Sequence, residues 1–247
     1  MSLQLGQTAP DFTLDSTQGS LHFSDYARGH WVVFFSHPKD FTPICTTELG
    51  AFAHRKAEFD KRNTKLLGLS VDPADSHKKW AKDIAKVGGT ELNYPILADP
   101  DLKVARQYDM FHPEADPKVT VRSVFFIDPQ RKVRTSLTYP PSVGRNIDEI
   151  LRTLDALQIT DAQPVATPVD WKPGDEIVVS PKLSDADAEK QFSGVRKVTP
   201  YLRYAKAAKA SLTHARILLR PSDTRRSSGC GVRPKPPAAR SSAKPSG

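Results

Sequence analysis

The sequence predicts an α/β sandwich with helices on both sheet faces, followed by a small C-terminal α+β unit and a basic tail. Three observations predict it. Strand-like and helix-like segments alternate over residues 1–160. A turn-rich stretch, Ala166-Thr-Pro-Val-Asp-Trp-Lys-Pro-Gly-Asp175, interrupts that alternation. Beyond about residue 205 large apolar residues all but vanish and basic ones accumulate.

Taken in chain order, the first strands are Trp31–Ser36 and Lys65–Val71, continuous runs of Val, Phe and Leu of the kind buried strands carry. Between them a helix is predicted over Thr46–Arg62, with Leu49, Phe52, Ala53 and Phe59 on one face. A second helix runs from Asp75 to Val87 and stops at Gly88-Gly89, a suitable C-cap. Tyr94–Ala98 reads as a short strand, and Val121–Ile127 and Val133–Tyr139 as two more. A third helix, Asn146–Leu157, places Ile147, Ile150, Leu151, Leu154 and Leu157 at helical spacing. The C-terminal unit, residues 161–204, holds a strand at Ile177–Ser180 and a helix at Ser184–Phe192 that opens on an acidic N-cap pattern. At this size it needs the larger domain to fold. Residues 205–247 begin with a segment, Ala205–Leu219, that suits one basic helix; after Pro221 the composition cannot offset the entropy of ordering, which predicts disorder.

Composition narrows the function. The 247 residues carry a net charge of +8, but residues 206–247 hold ten Lys/Arg against one acid, so the body is close to neutral. Any nucleic acid or anionic membrane surface would therefore be met by the tail alone. Two cysteines exclude a disulfide framework and a Cys-based zinc finger. The histidines outside the loop below, His22, His30, His54, His77, His112 and His214, show no paired ligand spacing, so no metal site is expected. Trp80 and Phe34, Phe35, Phe125 and Phe126 read as core. No Gly-rich phosphate loop occurs. The start, MSLQLGQTAPDF, lacks a basic end and an apolar run, and no apolar stretch approaches a membrane span, so the cytoplasm is the expected compartment.

The chemistry concentrates in Ser36-His-Pro-Lys-Asp-Phe-Thr-Pro-Ile-Cys-Thr-Thr-Glu-Leu49, where a strand ends and a helix begins near Cys45. A cysteine in a first helical turn faces unpaired backbone N–H groups and the positive end of the helix dipole, which favour thiolate over thiol. A buried structural cysteine is the competing reading. A disulfide exchanger would carry a second cysteine three positions on; Glu48 stands there. A lone activated thiolate instead suits attack on a peroxide oxygen, giving a sulfenic acid.

The pattern Pro38-x-x-x-Thr42-x-x-Cys45 resembles the active-site motif of the peroxiredoxins. The longer string SHPKDFTPICTTELG, Arg122 within VRSVFFID, YPPSVGRN at 139–146 and ATPVDWKPGDE at 166–176 resemble the one-cysteine, Prx6-type branch over roughly residues 4–204. The resemblance implies a thioredoxin-like fold with a central mixed sheet, peroxidase activity towards hydrogen peroxide and organic hydroperoxides, no metal or organic cofactor, and a homodimer. It makes Cys45 the peroxidatic nucleophile, to be reduced by an external thiol such as glutathione or a thioredoxin-like system. Thr42 would align the O–O bond, Pro38 would close the pocket, and Arg122 would lie beside the thiolate, where it can stabilise charge on the departing oxygen. His37 would line the pocket, with a polar wall residue as the alternative. Glu48 and Arg145 are candidates for orienting Arg122, with a helix-face ion pair as the alternative.

The chain departs from the branch in two places. Arg28-Gly-His-Trp-Val32 stands where some members carry a phospholipase serine, with His30 and Ser24 at the key positions, so that activity is not transferred. The tail matches nothing in the family, and its Cys230 is a resolving thiol, an idle exposed thiol, or part of a segment without function. A chaperone-like higher assembly is neither supported nor excluded by the sequence.

Overall fold

A computed structural model describes residues 3–111 and 116–207. Its larger part is a seven-stranded mixed sheet. The chain enters as a hairpin, β1 (Thr13–Ser16) and β2 (Gly19–His22), and a short helix α1 (Phe23–Ala27). It continues through β3 (Trp31–Ser36), α2 (Pro43–His54), α3 (Lys56–Asp60), β4 (Thr64–Ser70), α4 (Ala74–Gly88), β5 (Ile96–Ala98) and α5 (Lys103–Gln107). The strands β6 (Arg122–Ile127) and β7 (Val133–Tyr139) and the helix α6 (Ile147–Ala162) complete this part. The strand order is β2-β1-β5-β4-β3-β6-β7, with β3, β4 and β5 parallel and β6 and β7 antiparallel.

The central strands are buried on both faces, which explains their uninterrupted apolar runs. Alternation along β3 sends Trp31, Val33 and Phe35 into a core shared with α2, α4 and α6, and Val32 and Phe34 into a second core with α1 and α5. The five aromatics expected in the core are all buried. A third cluster, around Trp171, Ile177, Val179 and Phe192, fills the smaller unit. That unit is a four-stranded sheet of β8 (Val165–Ala166), β9 (Glu176–Val179), β10 (Ser193–Thr199) and β11 (Leu202–Lys206), ordered β10-β11-β9-β8, with α7 (Asp185–Gln191).

Several expectations shift. The long helix over 46–62 is two helices, α2 and α3, broken at Arg55, and α2 begins at Pro43 rather than near Cys45. Proline needs no N–H partner at a first helical position, so it starts the helix early. The boundary at 160/161 falls inside α6, and Ala205–Lys206 belong to β11 rather than to a helix. In β11, Ala205 is buried and pairs with Ile177, a cross-strand contact that helical propensity does not reveal. The rest of the proposed basic helix, the expected disorder and Cys230 lie outside the described residues. Among the described residues no helix is long and apolar enough to cross a membrane.

One close approach fixes the helix that carries Cys45. A Cβ on Gly88 would lie 2.5 Å from the Gly50 Cα, so α2 and α4 touch backbone to backbone. Gly89 then ends α4 in the left-handed region, at φ 67°, its N–H donating to the Ala85 carbonyl.

Candidate active site

Cys45 sits in the first turn of α2, after Thr42 in extended backbone and Pro43 at the helix start. It is buried and is a free thiol. β6 brings Arg122 to it from across the sheet. The guanidinium Nη1 donates to the Cys45 Sγ at 3.3 Å and to Glu48 Oε2 at 2.6 Å. Its Nε and Nη2 donate to the Pro141 carbonyl at 3.1 and 2.8 Å, so the loop after β7 sets the plane of the group.

Glu48, one turn beyond Cys45, is also buried and is held from the other side by Arg145. The Arg145 backbone N–H donates to Glu48 Oε1 at 2.7 Å, its Nε to Oε1 at 3.0 Å and its Nη2 to Oε2 at 2.8 Å. The remaining Nη1 donates to the carbonyls of Ser36 and Ser123, at the facing ends of β3 and β6. The Arg145 guanidinium also lies over the Phe35 ring, 5.0 Å from its centroid. All three guanidinium nitrogens of this buried arginine thus donate to acceptors, as burial of the charge demands. Two guanidiniums flank a single carboxylate, so the cluster carries one uncompensated positive charge. The Cys45 sulfur, 3.3 Å from Arg122 Nη1, is placed to share that charge.

The other predicted residues are placed less directly. Pro38 is buried in the loop between β3 and α2. The Thr42 hydroxyl donates to the Lys39 carbonyl at 2.9 Å rather than to the sulfur, which leaves its oxygen lone pairs as acceptors. His37 is fully buried, and its ring lies 5.3 Å from that of Trp80, whose Nε1 donates to Thr46 beside Cys45.

Two residues that sequence reasoning passed over complete the surroundings of His37. Asp40 meets His37 Nε2 through Oδ1 at 2.9 Å and His77 Nδ1 through Oδ2 at 2.7 Å. The spacing of His37 and Asp40, three apart in HPKD, was a usable signal; His77 lies 37 residues further on and gave none. These three side chains bring their ligand atoms within 4.8 Å of one another, but Asp40 is already hydrogen-bonded to both rings and His77 Nε2 to the Leu97 carbonyl, so the set closes on itself without an ion. Burial pushes the His37 ring below its ordinary value. Burial alone would raise Asp40, but the hydrogen bonds from His37 and then His77 outweigh it and hold the carboxyl well below the usual range.

A buried cysteine at a helix start, the only one among the described residues, with a guanidinium on its sulfur and a mixed sheet behind it, defines a thiol-dependent peroxidase of thioredoxin-like fold. Comparison with known proteins agrees. Residues 5–136 match the AhpC/TSA family, and residues 156–194 match the C-terminal domain of 1-Cys peroxiredoxin. The chain is 50% identical over 202 residues to the 1-Cys peroxiredoxin of Dictyostelium discoideum, covering 81% of this chain and 84% of that one. It is 46% identical over 212 residues to the mitochondrial peroxiredoxin PRX1 of Saccharomyces cerevisiae, covering 83% and 81%. The solved structure of a cysteine-to-serine mutant of peroxiredoxin 6 from Arenicola marina superposes with a TM-score of 0.81 at 40% identity, over 85% of this chain and all of that one. The chain belongs to the AhpC/TSA family, in its 1-Cys peroxiredoxin branch.

Proposed function

We propose that the chain reduces hydrogen peroxide and organic hydroperoxides through Cys45, with an external thiol as electron donor and no resident metal or organic cofactor. The contact between Arg122 and the Cys45 sulfur carries this reading. The thiolate attacks one peroxide oxygen and the O–O bond breaks. The other oxygen leaves as hydroxide or alkoxide and takes a proton, giving water or alcohol and a Cys45 sulfenic acid. One thiol condenses with that acid to a mixed disulfide and water, and a second releases Cys45.

Arg122 serves the sulfur anion and then the departing oxygen, because its Nη1 is already aimed at the reacting atom. Glu48 and Arg145 hold Arg122 in that orientation. Pro38 and Thr42 shape the approach, the Thr42 oxygen accepting from the peroxide O–H. A structure of the yeast mitochondrial 1-Cys peroxiredoxin, which superposes with a TM-score of 0.77 at 46% identity over 83% of this chain and 99% of that one, concerns thiol resolution through glutathione and thioredoxin systems. That likeness supports the same two classes of reductant here. The homodimer is supported by family membership and by β7, the outer strand of its sheet, one side of which is unpaired among the described residues. Dependence on a reducing thiol suits the cytoplasm. Stopped-flow peroxide consumption by wild type and Cys45→Ser, with glutathione or thioredoxin supplied in turn, tests the chemistry and the donor together. Full activity of Cys45→Ser would overturn the proposal.

A further inference from the structure

Trp80 is fully buried on α4, yet its one polar atom is spent on the start of α2. Its Nε1 donates to the Thr46 hydroxyl at 3.1 Å, and that hydroxyl donates in turn to the Thr42 carbonyl at 2.7 Å. We propose that Thr46 and Trp80 are positioning residues of the peroxidase site: their two hydrogen bonds close the helical turn that holds Cys45 and keep its sulfur in register with Arg122.

That turn has few other fastenings. Thr42 is the N-cap of α2, but its side chain caps nothing and donates back to the Lys39 carbonyl at 2.9 Å. Pro43, which follows, brings no N–H. The first backbone bond of α2 is therefore the Thr46 N–H to the Thr42 carbonyl, at 3.0 Å. Pro43, Ile44 and Cys45 lie inside the ring that this one bond closes. The Thr46 hydroxyl puts a second bond on the same carbonyl, and the indole N–H holds the hydroxyl in the orientation that makes it. A hydroxyl that accepts while it donates is polarised by its partner, so each bond of the pair strengthens the other.

Trp80 also meets the chain on the other side of Thr42. Phe41 stands in the left-handed region, at φ 54°, a conformation costly to a residue with a Cβ. Such a residue persists only where its surroundings over-determine it. The Phe41 ring lies 6.1 Å from the Trp80 ring, so one indole braces both flanks of Thr42. The indole is itself a fixed point, because α4 touches α2 backbone to backbone at Gly88 and Gly50. Cys45 is thus held between two anchors of different kind. Arg122, on β6, reaches the sulfur with a charge, and Trp80, on α4, reaches the turn beneath it through neutral hydrogen bonds.

The inference rests on the peroxidase reading, and three variants of the full-length protein separate the two. Thr46→Val keeps the branched shape and removes the hydroxyl, Thr46→Ser restores the hydroxyl, and Trp80→Phe removes the indole N–H. Stopped-flow oxidation of Cys45 by hydrogen peroxide gives the rate constant for each. Thr46→Val should lower it roughly 10- to 100-fold, the effect of a small misplacement of a reacting atom. Trp80→Phe should lower it less, and Thr46→Ser should recover most of the wild-type rate. In nitrogen NMR the Trp80 indole N–H resonance should move in Thr46→Val and return in Thr46→Ser. A Thr46→Val protein as fast as wild type would overturn the proposal. So would a Thr46→Ser protein as slow as Thr46→Val, or an indole resonance that Thr46→Val leaves unmoved. Wild type that forms no Cys45 sulfenic acid would instead sink the peroxidase reading, and this inference with it.

Discussion

Two buried polar clusters flank the start of α2, and they differ in how their charges close. Around Cys45, Glu48 is shared by Arg122 and Arg145, and one positive charge is left over. Around Asp40, a single carboxylate meets a ring nitrogen of His37 and of His77 and accepts from Ser76, and His37 Nδ1 has no hydrogen-bond partner among the described residues. The first cluster is completed by an anion, whereas the second is neutralised within itself by hydrogen bonds to one carboxylate. A sulfur anion at Cys45 is that partner. The difference shows how one short loop, Ser36 to Cys45, joins a charged cluster at the sulfur to a hydrogen-bonded cluster that anchors the loop to α4.

The comparison can be broken at each end. The largest effect is expected from Cys45→Ser, which removes the anion and should abolish thiol-dependent peroxide consumption in a coupled assay while the protein stays folded. Arg122→Gln should follow, lowering kcat/KM by roughly 100- to 1,000-fold, the usual effect of losing a donor aimed at developing charge. Peroxide-dependent stopped-flow traces give that number.

Glu48→Gln tests the charge count from the opposite direction. It leaves two buried guanidiniums facing each other, and should cost about 3–5 kcal/mol in urea unfolding. Replacing Glu48 without loss of stability would mean that the two arginines are not held as described.

The His37 cluster should register in acid. Burial holds the folded His37 below its ordinary value of 6.5, so below that pH the unfolded chain takes up a proton that the folded chain refuses. Stability is therefore full above about pH 6.5 and falls as pH drops below it. Asp40 adds a second loss lower down: its depressed carboxyl stabilises above the ordinary value of 3.8, and that contribution disappears as pH falls through the folded value. Thermal melts of wild type and His37→Asn between neutral and acid pH should separate the two limbs, the variant lacking the upper one.

The smallest effect is expected from Gly88→Ala, far from either cluster in chemistry but against the helix that carries Cys45. Its Cβ has no room beside Gly50, and the shift of α2 should cost about 1–3 kcal/mol in chemical denaturation.

Much of this was legible in the residues, and what was not has a physical reason. The strands Trp31–Ser36 and Val133–Tyr139 end where their composition says they should. The β1–β2 hairpin does not announce itself, because four-residue strands with polar and exposed positions carry little periodicity. β10 is missed for a similar reason: Ser193–Thr199 is largely exposed, an edge strand whose Arg196 and Lys197 face solvent. At the site, the motif identified Cys45, Glu48, Arg122 and Arg145, but not that Glu48 is shared. Those contacts join residues 74 and 97 apart in sequence, and only the sheet brings them together. Asp40 and His77 escaped because a helix, α4, supplies one partner and a loop the other. The division into a larger and a smaller unit was readable from the turn-rich stretch, whereas its edge was not, since α6 runs through it.

The central claim is that Cys45 alone carries the oxidation. The most direct test is intact-protein mass after one equivalent of hydrogen peroxide, with a sulfenic-acid trap, on wild type and Cys230→Ser. A single trapped adduct at Cys45 in both proteins is the predicted result. Loss of two hydrogens in wild type, through a Cys45–Cys230 disulfide that the variant cannot form, would contradict it and make the tail the source of a resolving thiol.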